Sequence, residues 1–178
     1  MGVKSTNWLK KYWWVILVII ILIIGGILLW RRFGSKIDFD FNLGKIGNIL
    51  GEVERRQANP PSANERGAGI YLTIPVDTIV KNNNRGSFNM KDAKVNLSYL
   101  GETILRTPPD GMGITAKVGG KGTEPVPQTM EVLINNNTIK FIKEFIQGRK
   151  PKIDYLIRTK LFGVPYKFED SKLVEEKA

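Results

Sequence analysis

Tyr12 to Trp30 reads YWWVILVIIILIIGGILLW, nineteen residues without a charge. A helix rises 1.5 Å per residue, so this run spans roughly 28 Å, close to the hydrocarbon core of a bilayer. Lipid offers the backbone no hydrogen-bond partners, and a single crossing segment must satisfy its own N–H and C=O groups as a helix. Tyr12, Trp13 and Trp14 at one end and Trp30 at the other have the composition of interfacial aromatic belts. Lys10, Lys11, Arg31 and Arg32 stand just outside them, where headgroup phosphates lie. A cleaved signal peptide has a shorter apolar stretch and small residues after it; here Trp-Arg-Arg-Phe follows. The run is read as a retained single-pass signal anchor over 12–30, behind a basic flank over 1–11.

Charge supports that reading. The net charge is +10, from 27 basic and 17 acidic side chains. Residues 1–36 hold six cations and no acid, and the other 142 residues hold 21 basic against 17 acidic, an excess of only four. Most of the excess thus flanks the apolar run, where anionic lipid attracts it. No basic stripe with interleaved aromatics is present, so the expected partner is the lipid bilayer and not nucleic acid. The two flanks are almost evenly basic, which leaves the positive-inside rule nearly balanced. The three lysines of the N-flank, with Met1-Gly2-Val3-Lys4-Ser5-Thr6 matching the N-myristoylation pattern at Gly2, favour a cytoplasmic N-terminus and a non-cytoplasmic C-terminal domain.

The chain has neither cysteine nor histidine. That excludes disulfides, thiolate nucleophiles, Cys-based zinc sites, the Ser-His-Asp triad and the commonest metal ligand. No catalytic residue, cofactor or metal is expected, and the chain is read as not an enzyme.

Ile37–Asn42 alternates apolar and polar and predicts a short strand. Its Asp38, Asp40 and Asn42 brush against a calcium loop, but Leu43 stands where Gly is required and Ile49 where the twelfth-position Glu belongs. Leu43, Ile46, Ile49, Leu50 and Val53 recur at helical spacing despite three glycines. Gln57–Gly69 is rich in Pro, Gly, Ser, Ala and Asn and reads as a flexible linker, which makes 31–69 a juxtamembrane segment plus linker. From Ile70 to Asp170 the pattern is that of a β domain. Ile70, Leu72, Ile74, Val76 and Val80 share one face, and Lys81–Gly86 is a turn. Ala93, Val95, Leu97 and Tyr99 share the next face, with a phase change at Lys91-Asp92 that suggests a bulge. Short strands follow around 102–107, 112–118 and 126–134. Ile139, Ile142, Phe145 and Ile146 fit a helix capped by Asn or Thr and stopped at Gly148. Ile153–Leu161 and Tyr166–Phe168 close the domain, and 171–178 reads as a disordered tail.

These pieces resemble a known family. IPVDTIVKNNNRG, DAKVNLSYLGE, GTEPVPQTMEVLI, TIKFIKEFIQG and KIDYLIRTKLFGVPYKFE, over Tyr71–Asp170, are similar in kind and order to the late embryogenesis abundant type 2 domain, also called the water-stress and hypersensitive response domain. Asn83 departs from the Pro usual at that turn. The resemblance implies an immunoglobulin- or fibronectin-like β-sandwich, often tethered by one N-terminal helix, and it carries over no catalytic residues. With the strand count it gives the expected fold: mainly β, an N-terminal transmembrane helix, then a sandwich of about seven strands with one short helix.

Weaker signals have plainer readings. Gly119-Gly120-Lys121-Gly122-Thr123 lacks the phosphate-loop spacing, since Thr115 and Gly122 stand where Gly and Ser/Thr are needed, and is read as a turn. Asp154, Glu169 and Asp170 are read as solvated carboxylates and not an acid–base pair. Asn96 and Asn136 open glycosylation sequons. Tyr71, Tyr99, Tyr155, Tyr166, Phe88, Phe162 and Phe168 are read as strand packing and not as a ligand cavity. The expected function is a non-enzymatic membrane-anchored structural or adaptor protein whose sandwich meets another protein or copies of itself. Two alternatives are a virion component with its helix in an internal membrane, suggested by 52 Ile, Lys and Asn residues, and a lipid- or small-ligand-binding module beside the bilayer.

Overall fold

A computed structural model describes residues 7–34, 36–59 and 71–174. The chain divides into two compact units, Met1–Ile37 and Asp38–Ala178.

The first unit is helix α1, Asn7–Gly34. Its side chains are described from Tyr12 to Leu28, seventeen residues, and all are exposed except Val15 and Gly25, which are half-exposed. From Val15 to Ile24 every residue is Val, Ile or Leu. Among the described residues no helix is long and apolar enough to cross a membrane.

The second unit is mainly β, a curled antiparallel sheet. Its strands are β1 (Ile37–Asn42), β2 (Tyr71–Asn82), β3 (Phe88–Tyr99), β4 (Glu102–Arg106), β5 (Ile114–Val118), β6 (Thr123–Leu133), β7 (Lys152–Leu161) and β8 (Val164–Leu173). The order is β1-β2-β6-β4-β3-β7-β8, with β5 on β3. Eight strands stand where about seven were expected, because Ile37–Asn42 joins the same sheet. Helices α2 (Leu50–Ala58) and α3 (Asn136–Ile146) and a 3-10 turn at Ile46–Ile49 replace the single expected helix. The expected boundaries shift accordingly. Residues from Asp38 belong to the β unit, Gln57 and Ala58 end α2, and β8 continues through Ser171 to Leu173, with Val174 buried. The rest of the expected linker, 60–70, and of the expected tail, 175–178, lie outside the described residues.

Alternation sets the faces. Ile74, Val76, Thr78 and Val80 of β2 are buried, as are Ala93, Val95, Leu97 and Tyr99 of β3. The bulge falls between Lys91 and Lys94, with Asp92 at φ +50°, as the phase change predicts. Helix α3 begins at an N-cap, where the Asn135 side chain accepts from the Thr138 N–H at 2.8 Å. It buries Thr138, Phe141, Ile142 and Phe145, a face one position away from the expected one, and leaves Ile146 45 % exposed. The ring of Phe141, between Tyr99 at 5.6 Å and Phe145 at 6.0 Å, decides that rotation. Aromatic area outweighs one Ile.

Two hairpins, β3–β4 and β7–β8, turn on two residues, Leu100-Gly101 and Phe162-Gly163, with positive φ at all four. This is the twist-matched turn that usually takes Asn-Gly, because a side chain in the left-handed region is strained. The expected strand Tyr166–Phe168 is therefore longer: β8 pairs with β7 from Leu161↔Val164 to Lys152↔Leu173.

Candidate functional site

Four features of these units could carry function: the α1 surface, a charged seam, an open cleft and the remaining aromatic and polar motifs. On α1, Trp13 is 60 % and Trp14 58 % exposed. The side chains of the other predicted interface residues, Lys10, Lys11, Trp30, Arg31 and Arg32, lie outside the described residues.

The seam lies where β1 meets β8. Lys172 Nζ reaches Asp40 at 2.5 Å and Asp38 at 3.3 Å and donates to the Phe39 carbonyl at 3.1 Å. Lys81 of β2 pairs with Asp40 at 2.5 Å from the other side. Burial alone would raise the Asp40 carboxyl, but hydrogen bonds from Lys172 and Lys81 outweigh it and hold the group below its ordinary value. Burial would likewise lower Lys172, and its hydrogen bond to Asp40 with the nearby Asp38 charge raises it instead. Beneath these charges Phe39 packs on Phe168 at 4.9 Å and on Tyr155 at 6.2 Å, while Phe41 meets Tyr155 at 5.6 Å. Asp38 and Asp40, considered above as calcium ligands, are thus taken up by lysines.

The second place where the sheet opens lies between β5 and β6. β6 pairs with β2 along its whole length, but with β4 only at Val132 and Glu131. From Thr123 to Thr129 its other edge has no strand partner among the described residues. Pro125 and Pro127 sit inside the unbroken β2 ladder, so their nitrogens, which have no proton, face that open edge. A cleft of about 400 Å³ lies here between the Pro108–Gly113 loop and β6. Gln128 lines it; its amide donates to the Thr78 hydroxyl, and its Oε1 is buried without a hydrogen-bond partner. The cleft rim carries Met112, 98 % exposed, where the sequence pattern predicts a strand position. The loop at Gly111–Gly113 releases it from the alternation.

The other motifs resolve into structure. Gly119–Gly122 is a turn held by Asn82, whose amide donates to the Gly119 carbonyl at 2.8 Å and the Gly86 carbonyl at 2.9 Å. A Cβ on Gly120 would lie 1.9 Å from the Arg85 carbonyl oxygen, so only Gly fits. Asp154 pairs with Ser171 and Glu169 with Leu156, whereas Asp170 is set on the Tyr155 side of the sheet. The three carboxylates do not converge. Tyr99 is pushed up to about 12 by burial and its bond to Glu144, and Tyr155 to about 12 by burial and Asp170. Phe88, Tyr99, Tyr155 and Phe168 are core, while Phe162 is 57 % exposed. Asn96 stands inside the sheet, between Arg106 and Leu156, and Asn136 is exposed at the start of α3.

The geometry defines a β-rich class with a separate apolar helix. No protein-family model matches the chain, and no curated protein does. Among solved structures, a protein from Archaeoglobus fulgidus is 12 % identical over 60 % of this chain and 87 % of its own, with a TM-score of 0.34. The GAE domain of yeast GGA1 is 11 % identical over 58 % and 86 %, with a TM-score of 0.30. A FixG-related protein from Vibrio parahaemolyticus is 9 % identical over 77 % and 93 %, with a TM-score of 0.31.

Proposed function

We propose that this chain is a non-enzymatic, membrane-anchored module: α1 crosses the bilayer once, and the β unit is an immunoglobulin-like sandwich of late embryogenesis abundant type 2 kind that contacts protein or membrane surfaces. The observation that carries the reading is the surface of α1. A helix in water buries one apolar stripe, whereas this one is apolar all round and its Ile, Leu and Val side chains are exposed on every side. Exposed to water, each would cost about 1.5–3 kcal/mol relative to burial, and lipid removes that cost.

All four tryptophans, Trp8, Trp13, Trp14 and Trp30, lie in the N-terminal segment. Tryptophan emission therefore reads that segment alone. With the full chain reconstituted into neutral phosphatidylcholine vesicles, the emission should shift to the blue, brominated acyl chains should quench it, and the protein should float with the vesicles. Water-like emission with the chain left in the aqueous fraction would overturn the anchor.

A further inference from the structure

The outward face of β5, β3, β7 and β8 gathers cations that lie far apart in sequence. The register sets Lys91 opposite Lys160, Lys94 opposite Arg158, and Arg158 opposite Lys167. Asn89, opposite Lys117, brings a sixth cation to the same face. Directly opposed like charges destabilise a sheet, and an ordinary solvated surface intersperses the two signs. Two carboxylates stand among them: Asp92 at the bulge, which accepts from the Gly113 N–H at 3.2 Å, and Glu169, paired with Lys167 at 2.5 Å. Lys94 donates to the Gly111 carbonyl. Among the described residues no carboxylate pairs with Lys91, Lys117, Arg158 or Lys160. Six cations against two carboxylates is an excess of four, equal to the whole excess of residues 37–178. The rest of the unit is balanced. Beyond Leu156 the face turns acidic at Asp154.

Beside this cluster projects the β7–β8 turn. Phe162 is held at φ +51° and is 57 % exposed. A turn of this type is most stable with Asn-Gly, so the backbone does not call for a Phe there. Cations beside a protruding apolar tip match a lipid interface, where lysines meet anionic headgroups and the ring enters the acyl boundary. A nucleic-acid face would interleave aromatics for stacking; the nearest, Tyr166, pairs with buried Thr159 on the opposite side.

We propose that this face, with Lys91, Lys94, Arg158, Lys160 and Lys167 around the Phe162 tip, docks on an anionic lipid surface. It rests on the anchored reading for what keeps the unit beside a bilayer. Because the chain lacks cysteine, an Asn89→Cys variant takes a single environment-sensitive label on the exposed face without touching cations or tip. The labelled full chain is reconstituted into vesicles of phosphatidylcholine alone or with 30 % phosphatidylserine (roughly a physiological anionic fraction). Label quenching by a bilayer-embedded quencher should appear only in the anionic vesicles. It should weaken about fivefold for each of Lys91→Gln, Arg158→Gln, Lys160→Gln and Lys167→Gln. Phe162→Asn, which suits the turn better, should reduce the quenching with charge intact. Flotation with neutral vesicles reports the anchor separately, so loss of flotation and loss of label contact distinguish the two readings. Equal quenching in both vesicle types would overturn the proposal. So would an absent lipid response combined with charge-dependent binding of a labelled oligonucleotide.

Discussion

The curled sheet has two places where its strands part, and it treats them in opposite ways. At the β1–β8 seam, aromatic rings fill the inside and Lys172 clamps the outside onto Asp38 and Asp40. At the β5–β6 opening no strand pairing joins the edges among the described residues; prolines remove donors at positions 125 and 127, and a cleft remains. One edge is closed by contact and the other is kept from recruiting a strand. The difference teaches where the unit stores stability and where it only guards its surface.

Phe39→Ala should break the seam most severely. The ring is 1 % exposed and touches Phe168 and Tyr155, so its loss should cost ~3–5 kcal/mol. Denaturant unfolding followed by far-UV dichroism measures it. A loss below ~1 kcal/mol would mean that β1 is not integral to the unit.

Removing the clamp comes next. Lys172→Ala leaves Asp38 and Asp40 side by side on one face of β1 with only Lys81 still paired to Asp40, and should cost ~1–3 kcal/mol, less than breaking a fully buried pair would. The pH dependence has two limbs. The Asp40 value lies below its ordinary 3.8, so its contribution is present above that value and is lost as pH falls through the folded one. The Lys172 value lies above its ordinary 10.5, so its contribution is present below that pH and is lost as pH rises through the folded one. Hydrogen exchange of β1 amides should therefore be slowest between about pH 4 and 10 once corrected for intrinsic rates. In Lys172→Ala the alkaline limb should vanish. A wild-type-like alkaline limb in that variant would refute the assignment to Lys172.

Much of this unit is legible in the sequence, and the boundary of legibility has a physical cause. Alternation exposes β1, the faces of β2 and β3 and the bulge at Lys91-Asp92, because period and phase are local. The α3 cap at Asn135 and its stop at Gly148, φ +70°, are local as well. What fails needs long-range partners. The Ser171–Leu173 segment looks like a frayed charged tail until β7 and Asp40 stand beside it. Phe141 looks like a solvent position until Tyr99 supplies its contact. The cationic face is hidden entirely, since Lys91 and Lys160 are neighbours only through strand register.

At the cleft, the partly buried amide of Gln128 sharpens the contrast. Its Oε1 lacks a partner while its amide N–H₂ meets the Thr78 hydroxyl. Gln128→Met alone strands that hydroxyl and should cost ~1 kcal/mol, whereas Gln128→Met with Thr78→Val should be neutral or stabilising by up to ~1 kcal/mol, because both partners are replaced by apolar groups of similar shape. Thermal unfolding of the two variants decides it. A double variant less stable than the single one would show that the amide holds the opening in place.

The smallest expected effect on stability falls at the open edge itself. Residues 123, 125, 127 and 129 turn their backbone groups outward, since the alternate positions serve the β2 ladder. With proline at two of these four positions, the edge offers carbonyls without matching donors, and an incoming strand cannot pair in register. Pro125→Thr with Pro127→Thr restores both N–H groups in residues suited to strands, so folding stability should move by no more than ~0.5 kcal/mol. Association should change instead. The exposed edge gains a full row of donors and acceptors, and the full chain in detergent micelles should form concentration-dependent oligomers that the parent does not, as read by sedimentation velocity. The Phe39→Ala seam variant provides the counter-test, because it loosens a closed edge and should lose stability before it associates. If the double proline variant stays at the parent's size at every concentration, the prolines are not guarding that edge, and the asymmetry between seam and opening loses its explanation.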